Sequence, residues 1–134
     1  MTAALQNSLF KKYAKIFGQK DDSIQGSCMP WGLECGDGWY KLLDDLCYAI
    51  QKHCDEPGNF QVEASQVKEK FGTLSFYVSG ADDYVFDLIG KAEDESAYIC
   101  EECGSKEGVT QSTGWIVTLC PVCMKKYKEE RGLA

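Results

Sequence analysis

The sequence predicts an α+β fold in which helices pack on a small antiparallel β-hairpin and a compact cysteine module follows at the C-terminal end. Three observations carry that expectation. Apolar residues recur at helical spacing in three stretches, two strand-like runs flank one short turn, and Cys100, Cys103, Cys120 and Cys123 form two Cys-x-x-Cys pairs sixteen residues apart. The 134 residues suit an α+β core over 1–98 with the cysteine module, 99–134, continuous with it.

Leu5, Leu9, Tyr13, Ile16 and Phe17 share one helical face, so the chain to about Gly18 is expected as an amphipathic helix. From Gly18 to Gly38, five glycines and Pro30 interrupt any regular pattern. That stretch reads as a long ordered loop carrying Cys28, Trp31 and Cys35, and long loops in compact domains are often functional. Asp37 is placed to cap the next helix, the main core helix, whose stripe is Trp39, Leu42, Leu43, Leu46, Cys47 and Ile50. After Pro57-Gly58, strands are expected over 60–68 and 73–79, joined through Glu69-Lys70-Phe71-Gly72. In the second strand Leu74, Phe76 and Val78 face one way and Thr73, Ser75 and Tyr77 the other, so one face meets helices. A third helix from about Asp82 buries Val85, Leu88, Ile89 and Ala92, and Tyr98-Ile99 leads into the first cysteine pair.

Each Cys-x-x-Cys turn aims two sulfurs at one point, and two such turns joined by a hairpin close a tetrahedron with Zn–S distances of about 2.3 Å. One Zn²⁺ on Cys100, Cys103, Cys120 and Cys123 is the expected cofactor. Four thiolates leave no position for water or substrate, which makes the ion structural. Gly104 supplies the positive φ that a metal knuckle needs. Short strands at 108–112 and 115–119 turn around Thr113-Gly114, and Pro121 opens a helix running to Gly132 with Cys123 in its first turn. Knuckle, hairpin and helix in that order resemble a treble-clef zinc finger.

The formal charge is −7, or about −9 once four thiolates and Zn²⁺ are included, and such a chain is repelled by bulk nucleic acid. Between Asp82 and Glu102, eight acids face Lys91 alone. As a solvated helix face this needs no function; as a docking surface it suits a basic partner, with Asp82, Asp83, Asp87 and Asp94 as contacts alongside Trp31 and Asp37 from the loop. No stretch is long and apolar enough for a membrane span, and Met1 to Lys20 has no apolar signal region. Eight cysteines in that setting lead us to expect a reducing cytoplasm.

Among the other cysteines, Cys47 and Cys54 cannot share a metal, while a site using Cys28 and Cys35 with one helical ligand stays open. Cys47 and Cys54 stand about 10.5 Å apart along one helix, whereas sulfurs on one zinc lie roughly 4 Å apart. His53, the only histidine, suits a helix C-terminus, and no acid–base or nucleophilic set can be assembled around it. The expectation is therefore a non-enzymatic protein.

Four phrases, residues 34–40, 66–74, 99–104 and 114–120, together resemble a family of small uncharacterised proteins of tailed bacteriophages and prophages, with Ser75 standing where that family commonly carries an arginine. The resemblance implies expression in an infected bacterium. It frames two expectations: a zinc-binding phage protein that binds a bacterial host protein, as an inhibitor of a defence system of the CRISPR or restriction kind or of other host machinery; and, as the alternative, a zinc finger that binds nucleic acid through Lys125, Lys126, Lys128 and Arg131 with Trp115 as a stacking group.

Overall fold

The computed structural model describes residues 1–20 and 27–133. In chain order its elements are α1 (Ala3–Lys12), β1 (Leu33–Glu34), α2 (Tyr40–Cys54), β2 (Glu63–Lys70), β3 (Thr73–Ser79), α3 (Asp83–Ser96), β4 (Thr110–Gln111), β5 (Thr118–Leu119) and α4 (Pro121–Glu130), with 3₁₀ turns at Met29–Trp31 and Asp37–Trp39. The fold is α+β, as the sequence predicts: four helices among the described residues, a small sheet, and a C-terminal cluster of four cysteines consistent with a zinc finger.

The apolar stripe of α2 is buried along its whole length, from Trp39 in the preceding turn to Ile50, and Trp39, Leu43, Cys47 and Ile50 are fully enclosed. Across from it, α3 contributes Val85, Ile89 and Ala92, and the sheet contributes Val67, Leu74 and Phe76. A separate small cluster of Cys100, Leu119, Cys120 and Met124 forms the interior of the cysteine module.

β2 and β3 pair antiparallel from Glu63↔Ser79 to Lys70↔Thr73. The turn is two residues long, Phe71 at φ 53° and Gly72 at φ 87°, the left-handed pair that matches strand twist in tight hairpins. Phe71 is the one non-glycine residue at positive φ among the described residues. A side chain there costs about 1–2 kcal/mol. Across the bulge between Ala64 and Gln66, the Ser65 carbonyl turns out of the ladder and accepts from the Cys28 N–H (3.0 Å) and the Ser27 hydroxyl (3.2 Å). On the free edge of β3, the Leu74 N–H donates to Ser96 Oγ (2.8 Å) and the Phe76 N–H to Glu93 Oε2 (3.0 Å). Helix α3 thereby satisfies an edge that would otherwise invite another strand.

Several local expectations need correction. The first helix ends at Lys12 rather than near Gly18, because Tyr13 leaves helical geometry to place its hydroxyl on Asp44 Oδ1 (2.7 Å) and the Ile16 carbonyl accepts the Ala64 N–H (2.8 Å). Ile16 and Phe17 are still fully buried, from a turn rather than a helix. The strand expected from Phe60 begins at Glu63, and Phe60 is 85 % exposed. The loop before α2 also adds a strand: β1 pairs parallel to β2 at Leu33↔Val67 and Glu34↔Lys68, giving the order β1-β2-β3. Asp37 does not cap α2. It lies in the 3₁₀ turn ahead of the helix, and its Oδ1 accepts the Thr2 N–H at 2.7 Å.

Candidate metal centre

The centre is assembled from two local turns. The first knuckle follows α3: the Gly104 N–H donates to the Cys100 carbonyl (2.9 Å), the Cys100 N–H donates to the Ser105 carbonyl (2.8 Å), and Gly104 takes the expected positive φ, 82°. The second knuckle is the entrance to α4, with Pro121 at the first helical position and the Met124 N–H bonded to the Cys120 carbonyl at 2.8 Å. Between them, β4 and β5 pair at Thr110↔Leu119 and Gln111↔Thr118, a shorter ladder than the sequence suggests.

These turns bring Cys100, Cys103, Cys120 and Cys123 together, with all four sulfurs within 4.8 Å of one another. The Cys103 and Cys120 sulfurs are 3.7 Å apart, far outside disulfide bonding. Tetrahedral coordination at a Zn–S distance of about 2.3 Å sets sulfurs about 3.8 Å apart. The group can therefore hold one metal ion of the kind that favours tetrahedral thiolate coordination. Cys100 and Cys120 are buried, Cys123 is half-buried and Cys103 is exposed. The Cys123 backbone N–H, donating to sulfur at the start of α4, pulls the Cys120 thiol down to about 7, whereas burial raises the Cys123 thiol.

The module is tied to the core by a continuous set of hydrogen bonds. Glu101 is the centre of it. Its carbonyl accepts the Gly38 N–H (2.8 Å), its carboxylate accepts the Gly36 N–H (2.9 Å), and its own N–H donates to the Thr118 carbonyl (3.0 Å). Thr118, fully buried, donates its hydroxyl to the Gly72 carbonyl at the hairpin turn (2.5 Å), and the Trp39 indole N–H donates to the Ile99 carbonyl (3.0 Å). Burial raises the Glu101 carboxyl above its ordinary value. Gly36 and Gly38 are required by proximity: a Cβ on either would lie inside van der Waals contact with the Glu101 backbone. The four sequence phrases singled out above thus converge on one junction, where turn, hairpin tip, first knuckle and β5 meet. Nothing in the chain pattern marked this, since the glycines read only as helix breakers.

None of the other singled-out residues joins the cysteine cluster as a possible ligand. Trp31 is 65 % exposed in the first 3₁₀ turn, and Asp37 is occupied by Thr2. Asp83, Asp87 and Asp94 are exposed along α3. Asp82 is engaged within the chain: its Oδ1 accepts the Val85 N–H (3.0 Å) as the cap of α3, and its Oδ2 is 2.7 Å from His53 Nε2. Tyr84 stacks on the imidazole at 4.3 Å between centroids, so His53 joins the end of α2 to the start of α3. Of the loop expected from Gly18 to Gly38, residues 21–26 lie outside the described residues.

Among the described residues no helix is long and apolar enough to cross a membrane. Comparison of the chain with protein-family models, curated proteins and solved structures finds no match.

Proposed function

We propose that the four cysteines hold one structural zinc ion and that the chain is a non-enzymatic, tailed-phage type protein. In this reading it binds a bacterial host protein in the cytoplasm and inhibits a defence system of the CRISPR or restriction kind, or another host machine. The observation that carries the reading is the surface of α3. Asp83, Asp87 and Asp94 fall within about 40° of one another around the helix axis, directly opposite the buried Val85, Ile89 and Ala92. Tyr84 and Phe86 stand exposed beside them, 55 % and 53 %. Acids alone are an ordinary solvated face, whereas the large exposed aromatic side chains beside them are of the type enriched at binding surfaces. A basic protein surface is the matching partner. Four thiolates complete a tetrahedral ion and leave no site for substrate, which favours a scaffold role for the metal.

Affinity capture from bacterial lysate treated with nuclease, followed by mass spectrometry, tests this. A specific protein retained by the wild type and lost on combined Asp83→Lys, Asp87→Lys and Asp94→Lys substitution supports the reading, and restored phage plating on a defended host when the chain is expressed identifies the inhibited system. Retention of the same partner by the triple variant defeats the surface assignment. The nucleic-acid alternative, through α4, is disfavoured because its charges are partly engaged: Lys126 lies 4.0 Å from Glu130, and the Arg131 guanidinium lies over the Tyr127 ring at 4.1 Å.

A further inference from the structure

The sheet has a second face that the core does not use. Leu74 and Phe76 of β3 and Val67 of β2 point into the core, so alternation turns Thr73, Ser75 and Tyr77, with their register partners Lys70, Lys68 and Gln66, to the other side. None of these six is buried. Their chemistry is hydroxyl, amide, ammonium and one phenol. In a chain of net charge −7, this face has two lysines, and among the described residues neither Lys68 nor Lys70 makes an ion pair. It also carries an acid, since Glu34 of β1 is the register partner of Lys68. Glu63 takes the Gln19 side-chain amide (3.1 Å), and Glu34 sits on the two-residue edge strand β1.

At the end of this face the chain presents an aromatic ring. Phe71 is 73 % exposed at positive φ, with Lys70 Nζ 5.9 Å above its ring. Asparagine or glycine adopts that backbone without strain, and the phenyl ring gains no burial in exchange. Directly behind the turn, a Cβ on Gly72 would touch Ile116 Cγ2, and the neighbouring Trp115 is 79 % exposed. The whole segment 108–119, on which Trp115 sits, contains no charged residue, although 26 % of the chain is charged. Phe71 therefore stands exposed at the turn that ends this face, and Trp115 is exposed in the module segment whose Ile116 meets Gly72.

From this juxtaposition we propose that the Thr73–Tyr77 face of the sheet, with Phe71 at its end and Trp115 in the module segment beside the turn, binds single-stranded nucleic acid. Lys68 and Lys70 meet phosphates, the hydroxyls of Thr73, Ser75 and Tyr77 bond to sugar and phosphate oxygens, and Phe71 and Trp115 stack on bases. Sequence-tolerant recognition of single strands requires this pairing of cations with open π-faces. The acidic remainder of the molecule disfavours long duplex DNA and confines a strand to this face. The surface is distinct from both the α3 acids and the α4 lysines, so its test is separate from that of protein binding.

The experiment is fluorescence anisotropy with labelled oligothymidylate and oligouridylate on the metal-loaded full chain, with duplex DNA of equal length as control. At about 50 mM salt we expect saturable single-strand binding, weaker for duplex. Phe71→Asn relieves the turn, so it raises the denaturation midpoint while weakening binding about 5- to 100-fold, the loss of one stacked base. Those opposite movements separate a binding role from a folding role. Lys68→Ala and Lys70→Ala each reduce the slope of log K against log salt by about 0.7. The inference is overturned by absence of binding at low salt, by binding that Phe71→Asn and Lys70→Ala leave unchanged, or by binding lost only when Lys125, Lys126 and Lys128 are neutralised. A protein partner released by Phe71→Asn, with no oligonucleotide bound, overturns it equally.

Discussion

Gly38→Ala adds one methyl group at the place where the core meets the first knuckle, and the structure sets its cost. A Cβ at Gly38 would sit 2.6 Å from both the carbonyl carbon and the oxygen of Glu101, and closer still to the Cys100 oxygen. All of these atoms are backbone, held on one side by the knuckle and on the other by the turn leading into α2. No rotamer change relieves the clash, so the two segments must separate. Separation weakens the Gly38 N–H bond to the Glu101 carbonyl (2.8 Å) and the Trp39 indole bond to the Ile99 carbonyl (3.0 Å). Overpacking together with two weakened hydrogen bonds amounts to about 3–5 kcal/mol. That is a large share of the ~5–15 kcal/mol that keeps a domain folded. Urea denaturation of the zinc-loaded protein measures it, and competition with a chromogenic chelator reports whether the undocked knuckle also holds metal less tightly. Gly90→Ala is the matched control: nothing lies within 4 Å of a Cβ there, and the residue is in the middle of α3. Alanine should stabilise that position by about 0.5–1 kcal/mol. Equal effects of the two substitutions, or an unchanged midpoint for Gly38→Ala, would refute the account of the junction.

Metal removal by chelation, or Cys100→Ser, should abolish hydrogen-exchange protection over residues 98–131 and leave that of α2 and the β2–β3 hairpin largely intact, since about 10–16 kcal/mol of folding free energy in small zinc sites comes from the ion; unchanged protection in the module would sink the zinc assignment. Thr118→Val removes the buried hydroxyl that donates to Gly72 and accepts from Gln111 Nε2 at 3.1 Å, for a loss of about 1–3 kcal/mol in denaturation. Burial pushes the Cys35 thiol up to about 12 and raises Cys47 as well, so iodoacetamide should label the half-buried Cys28 of the metal-loaded protein first, as peptide mapping would show; equally fast labelling of Cys47 would contradict the packing described. The His53 bond holds the Asp82 carboxyl below its ordinary 3.8, so its stabilisation is fully present above that pH and is lost as pH falls through the lower folded value. The difference in denaturation midpoint between wild type and Asp82→Ala should therefore shrink in acid, and a difference that grew there would invert the assignment.

Whatever depends on neighbours within a few turns of chain was legible in the sequence. The stripe from Trp39 to Ile50 is buried as its spacing requires, and α3 starts at Asp83, where a helix from about Asp82 was expected. Glu69-Lys70-Phe71-Gly72 marks the hairpin, and two Cys-x-x-Cys pairs at the right separation bring four sulfurs together. Each follows from a helix period, a strand period or a turn constraint, all local properties of the chain. Contacts between distant segments decided the rest. Ile16 looks helical, yet its carbonyl is taken by β2; Asp37 looks like a cap, yet Thr2 occupies it; Leu33 lies among glycines and still joins the sheet beside Val67. Gly36 and Gly38 were interchangeable breakers in the sequence and Gly72 only a turn residue, and only the approach of Glu101 and of Thr118 with Ile116 shows that no side chain has room there. The sequence by itself determined which elements form and which sulfurs gather, because those choices are made by local geometry; the tertiary structure decided how the cysteine module is fastened to the core, because that depends on which backbones come within hydrogen-bonding distance across more than thirty residues of chain.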